Sequence, residues 1–410
     1  MSEFSEISTT FNASLTKAER QEAGIFFTPQ TARRKLWEAL DRVAPRFKPK
    51  QILEPSAGSG EFIGDCLRRY PGIRPHGVEL NPVLVAAAQA AYALALIHSQ
   101  DFLEYQRKDR YDLIVGNPPY FQTKAKDPKC MTGRGNIFVQ FIYKSLAEHL
   151  APGGILAFVL PTSFYNCAYY EPCRKYIATN HTLLHVETLG ATPWFETAQD
   201  TMIMIVRGGP TTAAEKPFIF TPAGTELVYI SPHAEELKAL TKDAYTFAAL
   251  GFDVKTGGIV WSEHKHGNSK KSREFELSDD PEDELLIYSG NIKNGSIELF
   301  APGEQRNGKK QYIRNAGCEP LQGPAFLIAR GYGNTSYKLD YGFVPEGTAF
   351  HAENHLNVIS ANGPLPDGLA EAICASLESE DTKKFLEMFV GNGALSASEL
   401  LHVFPVWPAV

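Results

Sequence analysis

The sequence predicts an α/β fold with a mostly parallel β-sheet over residues 1–245. Short β-rich runs alternate there with helical stretches, which is the signature of consecutive β-α-β units. Two of the runs, Ile155–Leu160 and Thr201–Arg207, are almost wholly apolar, as expected of strands that helices cover on both faces. Gly58 and Gly60 lie between the β-rich run Gln51–Glu54 and a helical stretch, where glycine lets the backbone turn sharply.

Six runs are predicted strands of this sheet, in chain order Gln51–Glu54, Pro75–Glu79, Tyr111–Gly116, Ile155–Leu160, Leu183–Leu189 and Thr201–Arg207. The alanine-rich stretch after Asn81 and residues Phe138–Leu150 are predicted crossover helices. After about Thr246 the helical periodicity fades, and Gly, Asn, Tyr and Lys become frequent. We therefore expect a first domain over residues 1–245 and an irregular, loop-rich α+β domain over residues 246–410.

Composition excludes several classes of protein. The chain of 410 residues has 40 basic and 47 acidic side chains, a net charge of −7 that argues against a general polyanion binder. The longest apolar window, Val83–Ile97, is shorter than the ~20 residues of a membrane span and contains Gln89, which favours a buried helix. The six cysteines form no Cys-x-x-Cys pair and no zinc-like spacing, and the N-terminal residues lack an apolar signal region. We expect a reduced, cytoplasmic protein without a metal or membrane contact.

The segment after the first strand predicts a nucleoside site. Its glycines follow the spacing G-x-G-x-x-x-G, which misses the dinucleotide fingerprint by one residue and has no phosphate-binding lysine. Glu79 lies 21 residues after Gly58, at the end of the next strand, where a carboxylate can accept from ribose hydroxyls. Asp101-Phe102 offers an acceptor for an adenine amine and an aromatic ring. A nucleoside without a pyrophosphate fits this pattern better than a dinucleotide.

The run Tyr111–Gly116 leads directly into Asn117-Pro118-Pro119-Tyr120. Proline fixes φ and has no N–H, so this turn is rigid and its carbonyl oxygens face outward. The Asn117 side-chain oxygen and the Pro118 carbonyl can accept both protons of an –NH2 group, and this draws the amine's lone pair out of ring conjugation. Tyr120 supplies a flat surface for stacking. The turn therefore predicts chemistry on an exocyclic amine.

Together these motifs resemble the S-adenosylmethionine-dependent amino-methyltransferases, and among them the DNA adenine-N6 methyltransferases of the gamma order. In that order the cofactor segment comes first, the catalytic Asn-Pro-Pro-Tyr follows, and a target-recognition domain ends the chain. The resemblance covers about residues 20–208. It implies a Rossmann-like methyltransferase domain with a mostly parallel seven-stranded sheet, S-adenosylmethionine as the cofactor, and double-stranded DNA from which an adenine is flipped out.

The same resemblance assigns individual residues. Phe27-Thr28-Pro29 is similar to the family's N-terminal cofactor motif, Glu54 to Gly60 to its methionine-binding segment, Glu79 to its ribose acceptor, and Asp101-Phe102 to its adenine-binding pair. The implied cofactor-binding residues are Phe27, Thr28, Pro29, Glu54, Pro55, Ala57, Gly58, Gly60, Glu79, Leu80, Asp101, Phe102 and Asn117. The implied catalytic residues are Asn117, Pro118, Pro119, Tyr120 and Phe195, with Phe195 as the second ring that stacks on the target base.

Local basic segments predict where DNA binds despite the acidic average. The loop Phe121–Asn136 carries Lys124 and Arg134 and contains two glycines, and we expect it to become ordered on DNA. Two further runs, Lys265–Arg273 and Arg306–Arg314, are predicted to hold phosphates through Lys270, Lys271, Lys309 and Lys310. Arg330 and Asn334, in a Gly/Tyr-rich segment, are predicted to contact base edges.

Several alternatives stay open at this point. A methyltransferase acting on RNA adenine N6 or on a protein glutamine amide uses the same Asn-Pro-Pro-Tyr, although those proteins commonly lack a large second domain. A DNA-binding subunit without catalytic activity would not need Asn117 and Glu79 in one chain, and the glycine spacing argues against a Rossmann oxidoreductase. Pro172-Cys173 lies too late in the chain to match the nucleophile of cytosine-C5 methyltransferases. Any cognate restriction endonuclease is expected to be a separate chain.

Overall fold

The structure, a computed structural model, describes residues 3–14, 16, 27–123, 127–190, 200–211, 216–261, 275–301, 304, 307–331, 339–389 and 394–407. The chain divides into two compact units. The first comprises Met1–Thr221 with Glu226–Glu235, and the second comprises Pro222–Thr225 with Glu236–Val410. None of the helices in the described ranges is long and apolar enough to cross a membrane.

The strands of the first unit are short except for three neighbours of eight to twelve residues. In chain order they are β1 (Ile52–Glu54), β2 (His76–Glu79), β3 (Leu96–Ser99), β4 (Tyr111–Gly116), β5 (Gln122–Thr123), β6 (Gly135–Asn136), β7 (Leu150–Pro161), β8 (His181–Thr188), β9 (Thr201–Gly208), β10 (Ile219–Phe220) and β11 (Tyr229–Ile230). The helices are α1 (Glu6–Ser14), α2 (Gln30–Val43), α3 (Glu61–Arg69), α4 (Pro82–Ala91), α5 (Ile137–Lys144), α6 (Glu171–Asn180) and α7 (Ala234–Thr241), the last of which crosses into the second unit.

Seven of these strands form one sheet in the order β3-β2-β1-β4-β7-β9-β8. The pairings from β3 through β7 are parallel, whereas β9 runs antiparallel to both β7 and β8. The chain moves outward from β1 to β3 and then returns to place β4 on the other side of β1. This order confirms the predicted α/β fold with a mostly parallel seven-stranded sheet, and all six strands predicted from the sequence are present.

Helices cover both faces of the sheet because its strands are apolar on both faces. On one face Leu113 and Val115 of β4 lie in a buried cluster with Leu36 of α2. On the other face Ile114 lies in a buried cluster with Phe138 of α5. The parallel order brings the carboxyl ends of β1, β2 and β4 to one edge, which is where α/β sheets bind ligands.

One helix prediction was wrong in its extent. The apolar window Val83–Ile97 is not one buried helix, because α4 ends at Ala91 and the last residues of the window enter β3. Asn81 begins α4 by accepting from the N–H groups of Val83 and Leu84. Only Leu84 and Ala88 of α4 are buried, and alanine accounts for much of the apolar composition of the window.

The second unit is built from two main sheets and C-terminal helices, as an α+β unit. Its strands are β12 (Phe252–Thr256), β13 (Glu276–Ser278), β14 (Glu284–Ile287), β15 (Ile292–Lys293), β16 (Ser296–Ile297), β17 (Tyr312–Arg314), β18 (Leu321–Gln322), β19 (Ala325–Ala329), β20 (Tyr341–Val344), β21 (Ala349–Ala352) and β22 (Leu356–Ala361). They form sheets in the orders β12-β22-β19-β20 and β13-β17-β14-β21-β18, with β15 and β16 as a separate pair. The helices are α8 (Leu369–Glu378), α9 (Glu380–Phe389) and α10 (Ala397–His402).

Buried histidines in the first unit make its stability depend on pH. His149 is 1% exposed among the rings of Phe102, Tyr105 and Tyr111. Burial, assisted by the ammonium group of Lys144, lowers the pKa of His149 to about 4. Such a histidine folds in its neutral form, whereas it titrates near 6.5 when the chain unfolds.

We expect the free energy of unfolding to fall as the pH drops from about 6.5 to about 4, because His149 takes up a proton in the unfolded chain but stays neutral in the folded protein. In His149→Phe this fall in the free energy of unfolding should be smaller by roughly 3 kcal/mol, as measured by urea unfolding at several pH values. Comparison with the parent protein isolates this residue from the buried carboxyl groups Glu54 and Glu79, whose raised pKa values act in the opposite direction. An equally steep decline in His149→Phe and in the exposed control His233→Gln would contradict the assignment.

Candidate active site

The carboxyl ends of β1 and β4 join two loops into one site. The strands are parallel neighbours, with Leu53 opposite Ile114. The loop after β1, residues 55–60, is called the cofactor loop below, and Asn117–Tyr120 is called the catalytic turn. The Ser56 hydroxyl donates to the main-chain carbonyl of Asn117 at 3.0 Å. Gly116 stands next to Glu54 and Pro55, where a Cβ atom would already be in van der Waals contact with both.

Glu54 lies buried beneath the cofactor loop, with 3% of its surface exposed. Its carboxylate accepts from the Ile63 N–H at 3.1 Å, at the start of α3. Burial raises the pKa of Glu54 well above its ordinary value, and the nearby carboxylates of Glu61 and Asp65 raise it further. A positively charged group bound at this position would therefore be strongly favoured.

Arg33 partly balances these acids. Its Nε atom is 3.0 Å from Asp65 Oδ2, and its Nη1 atom is 3.9 Å from Glu61 Oε2. The same guanidinium donates to the Thr28 carbonyl at 2.6 Å, which fixes the segment Thr28-Pro29 directly before α2. Thr28 and Pro29, both predicted from the family resemblance, are buried, and this contact links Thr28 to the acids of α3 through Arg33.

Glu79 orients the other side of the cofactor loop. Its carboxylate accepts from the N–H of Gly58 at 2.8 Å and from the N–H of Asn81 at 2.8 Å. The Ala57 N–H also donates to the carbonyl of Val78 in the neighbouring strand. Burial raises the pKa of Glu79 despite these N–H donors. A carboxylate has about four acceptor positions, so ribose hydroxyls can also bind here.

Tyr92 explains two of the three glycines and was missed by sequence reasoning. A Cβ atom at Gly60 would come 2.8 Å from the Tyr92 ring, and one at Gly64 would come 2.7 Å from it. Gly60 also has φ of +82°, a left-handed conformation that favours glycine. The glycine spacing therefore reflects packing of α3 against the residue that ends α4, as well as the turn itself.

The N-terminal helix α1 is attached to the cofactor loop, which no sequence motif indicated. The fully buried Ser8 hydroxyl lies 2.7 Å from the Ser59 hydroxyl and donates to the Glu61 carboxylate at 2.6 Å. Phe11 contacts the ring of Phe27 edge to face, with the centroids 6.2 Å apart. The Phe27 ring in turn lies 3.8 Å from the position of a Cβ atom on Gly58, so the predicted Phe27 does reach the cofactor loop.

The predicted adenine-binding pair has a different environment. Phe102 is 2% exposed and packs on Phe141, with the centroids 4.8 Å apart, so its ring belongs to the core. Asp101 accepts from the Leu103 N–H at 2.8 Å. Leu80, directly after Glu79, is 69% exposed and offers an apolar surface beside the acidic end of β2.

The catalytic turn is half-enclosed, and its tyrosine does more than present a flat ring. Asn117 is 9% exposed, and the Tyr120 hydroxyl contacts both the Asn117 side-chain oxygen and the Val159 carbonyl, the latter at 2.9 Å. A single hydroxyl proton serves one of these acceptors at a time. Tyr120 also meets Phe138 edge to face, with the centroids 6.0 Å apart. Its hydroxyl thus orients the asparagine, which sequence reasoning did not foresee.

The loop after the catalytic turn, which was predicted to become ordered on DNA, has apolar anchors in its described residues. Strands β5 and β6 pair at its base, and Cys130 and Met131 are buried in the core. The Thr132 N–H donates to the Tyr169 carbonyl at 2.8 Å. These contacts hold residues 127–136, while Arg134 is exposed.

The predicted DNA contacts of the second unit have different surroundings. Lys309 is only 23% exposed and is 4.0 Å from the buried Glu353 carboxylate, whereas Lys310 pairs with Asp279 at 2.8 Å. Arg330 is half-buried at the end of β19. Five predicted residues, Lys124, Phe195, Lys270, Lys271 and Asn334, lie outside the described residues. The described ranges hold no cluster of three or more metal-ligating side chains.

Comparison with known proteins agrees with this geometry. A family model described as Eco57I restriction-modification methylase matches residues 79–195, which include the catalytic turn. The type II methyltransferase M.CvrRI of Paramecium bursaria Chlorella virus XZ-6E is 29% identical over 400 residues, 96% of this chain and 96% of that protein. Modification methylase CviBIII of Paramecium bursaria Chlorella virus NC1A is 28% identical and covers 99% of both chains. A tRNA1(Val) (adenine(37)-N6)-methyltransferase of Aliivibrio fischeri is 30% identical over 27% of this chain and 52% of its own length.

The sheet order and the joined loops define a Rossmann-like methyltransferase unit. Over nearly its whole length the chain is similar to methyltransferases of restriction-modification systems, and S-adenosylmethionine is its cofactor. Its residues suit that cofactor. The buried Glu54 matches an ammonium group, the Glu79 carboxylate matches ribose hydroxyls, and the Phe27 ring lies beside Gly58 of the cofactor loop.

Cofactor binding should release a proton from Glu54. At a pH above the raised pKa of this carboxyl group the ionised form already exists, whereas below that pKa it must lose a proton before it pairs with the cofactor's ammonium group. We therefore expect the affinity for S-adenosylmethionine to weaken as the pH falls through the raised pKa of Glu54. Calorimetric titrations in buffers of different ionisation enthalpy measure the proton directly. The same proton release from Glu54→Gln would show that it comes from another group.

The attachment of α1 should support the cofactor loop. Ser8→Ala removes a buried donor from the Glu61 carboxylate, and we expect the free energy of unfolding to fall by about 1–3 kcal/mol. Because Ser59 lies in the cofactor loop, the dissociation constant for S-adenosylmethionine should also rise, by about threefold to tenfold. Ser14→Ala is the matched control, since its hydroxyl bonds only within α1. Identical cofactor affinity in both variants would show that α1 does not support the loop.

Proposed function

We propose that this chain methylates N6 of adenine in double-stranded DNA. The observation that carries the proposal is the catalytic turn, in which the buried Asn117 side chain is fixed beside the cofactor loop. The Asn117 side-chain oxygen and the Pro118 carbonyl would accept the two protons of the amine. Bound S-adenosylmethionine supplies an electrophilic methyl group. The pair of acceptors raises the nucleophilicity of the nitrogen without a covalent intermediate.

The structure of a duplex adds a requirement. Adenine N6 is paired inside the duplex, so the nucleotide would have to rotate out, at a cost of a few kcal/mol. Tyr120 and Phe195 are proposed to offset that cost by stacking on the two faces of the purine, at about 1–3 kcal/mol per face. Phe195 lies between β8 and β9 in sequence. Strand β9 pairs with β7, and β7 supplies the Val159 carbonyl that contacts the Tyr120 hydroxyl.

A role for the second unit in reading DNA completes the proposal. Its size is that of a separate domain, and the similarity to M.CvrRI and CviBIII over nearly the whole chain includes it. We propose that residues 246–410 select the target sequence and that a cognate restriction endonuclease, where one exists, is a separate protein. RNA adenine N6 is the second candidate because part of the chain is similar to the Aliivibrio fischeri tRNA methyltransferase. That similarity covers 27% of the chain.

Single-molecule sequencing of DNA from cells that express the chain tests the proposal. We expect N6-methyladenine in one short sequence motif with the parent protein and none with Asn117→Ala. The Asn117→Ala protein should still bind S-adenosylmethionine in calorimetry, because it leaves Glu54 and Glu79 intact. Unmodified DNA together with methylated RNA from the same cells would contradict the proposal and favour methylation of RNA adenine N6.

Stacking by Phe195 can be separated from a structural role. We expect Phe195→Ala to retain its melting temperature and cofactor affinity, to slow methyl transfer by about tenfold or more, and to reduce the fluorescence rise of 2-aminopurine at the target position. Phe195→Trp keeps an aromatic face and should stay active. If Phe195 is instead a core residue, truncation would lower stability by about 3–5 kcal/mol and weaken cofactor binding as well.

A further inference from the structure

Within the second unit, segments that are far apart in sequence meet at one buried carboxylate. Glu353 has 0% of its surface exposed, in the turn between β21 and β22. Lys309, from the basic run Arg306–Arg314, reaches this carboxylate, and Trp261 lies just before the basic run Lys265–Arg273. Arg330 begins the segment predicted to contact bases and is bonded to the same turn.

The Glu353 carboxylate has a defined set of partners. One oxygen lies 2.7 Å from Nδ1 of His355 and 4.0 Å from Nζ of Lys309, and the other accepts from the Ser289 N–H at 3.3 Å. A fully buried carboxylate costs several kcal/mol unless such partners compensate it. The contact with His355 also fixes the plane of the imidazole ring and makes Nδ1 the donor.

The cationic side chains around this turn are held rigidly. The Arg330 main-chain N–H donates to the His355 carbonyl at 2.9 Å, and its guanidinium donates to the Asn354 carbonyl at 3.3 Å. Lys309 Nζ lies 5.2 Å from the Trp261 ring centroid and 4.8 Å from that of Tyr288, within cation–π distance of both. The His355 side chain, in contrast, is 46% exposed, so a buried acid holds an accessible imidazole.

We propose that His355 is a specificity-determining residue that contacts a base edge of the DNA target, with Glu353 as its positioning residue. The inference rests on the proposed function and adds to it the residues that read the sequence. Base readout needs hydrogen-bonding groups on rigid elements. Because Nδ1 of His355 donates to Glu353, its Nε2 is an acceptor, which suits the amino group of cytosine or adenine in the major groove. Phosphate contacts, in contrast, fix the register of a protein on DNA and carry no direct sequence information.

Methylation profiles of His355 and Glu353 variants test this assignment. Single-molecule sequencing of DNA from expressing cells gives the motif of the parent protein, of His355→Ala and His355→Gln, and of Glu353→Gln. We expect the motif of His355→Ala to become degenerate at one base pair, with about a 10- to 100-fold loss of preference there. Glu353→Gln should relax the same base pair, because it weakens the hold on the imidazole. Lys383→Ala, an exposed lysine of α9 in the same unit, is the matched control and should keep the full motif.

The outcomes separate this inference from the proposed function. If the parent protein methylates adenine in a motif and all His355 and Glu353 variants keep that motif and rate, the inference is wrong and the proposed function stands. If the parent protein leaves DNA unmodified, both are wrong. A purely structural role would lower the melting temperature of Glu353→Gln while its motif stays intact, and this result also overturns the inference. The half-exposed His355 permits substitution without a core defect, and His355→Gln retains hydrogen-bonding groups if His355→Ala is unstable.

Discussion

The hydrogen bond from the Ser56 hydroxyl to the main-chain carbonyl of Asn117 joins the two halves of the catalytic unit. It exists because β1 and β4 are parallel neighbours whose carboxyl ends reach the same edge of the sheet. The cofactor loop and the catalytic turn therefore share one position, although about sixty residues separate them in sequence. Methyl transfer needs its two reactants held close together, and this hydrogen bond fixes the two loops relative to each other.

The electrostatics of the cofactor loop follow from what is buried beneath it. Glu54, Glu61 and Asp65 place three carboxyl groups near two guanidinium groups, those of Arg33 and Arg68, so the acids outnumber the cations. That excess costs stability in the free protein and favours a cationic ligand. Helix α1 stabilises the Glu61 carboxylate through a hydrogen bond from the Ser8 hydroxyl. This neutral donor leaves the negative charge in place, whereas a further cation would cancel it.

The sequence predicted the parts of the site that depend on local chain order. The six strands, the loop glycines and the Asn-Pro-Pro-Tyr turn were predictable because strand patterns and turn residues are short-range signals. Contacts made by residues distant in sequence were not. Tyr92 against Gly64, Ser8 against Ser59, and Lys309 against Glu353 depend on tertiary packing and carry no motif. The burial of Cys130 and Met131, in the loop that was predicted to become ordered on DNA, carried no sequence signal for the same reason.

The junction between the two loops can be measured directly in a single turnover. With enzyme in excess over DNA, we expect Ser56→Ala to slow methyl transfer by about tenfold, because the catalytic turn loses its hold on the cofactor loop. Its affinity for S-adenosylmethionine and its melting temperature should stay close to those of the parent protein, and Ser56→Thr, which keeps the hydroxyl, should restore the rate. A single-turnover rate in Ser56→Ala equal to that of the parent protein would contradict the claim that this contact assembles the active site.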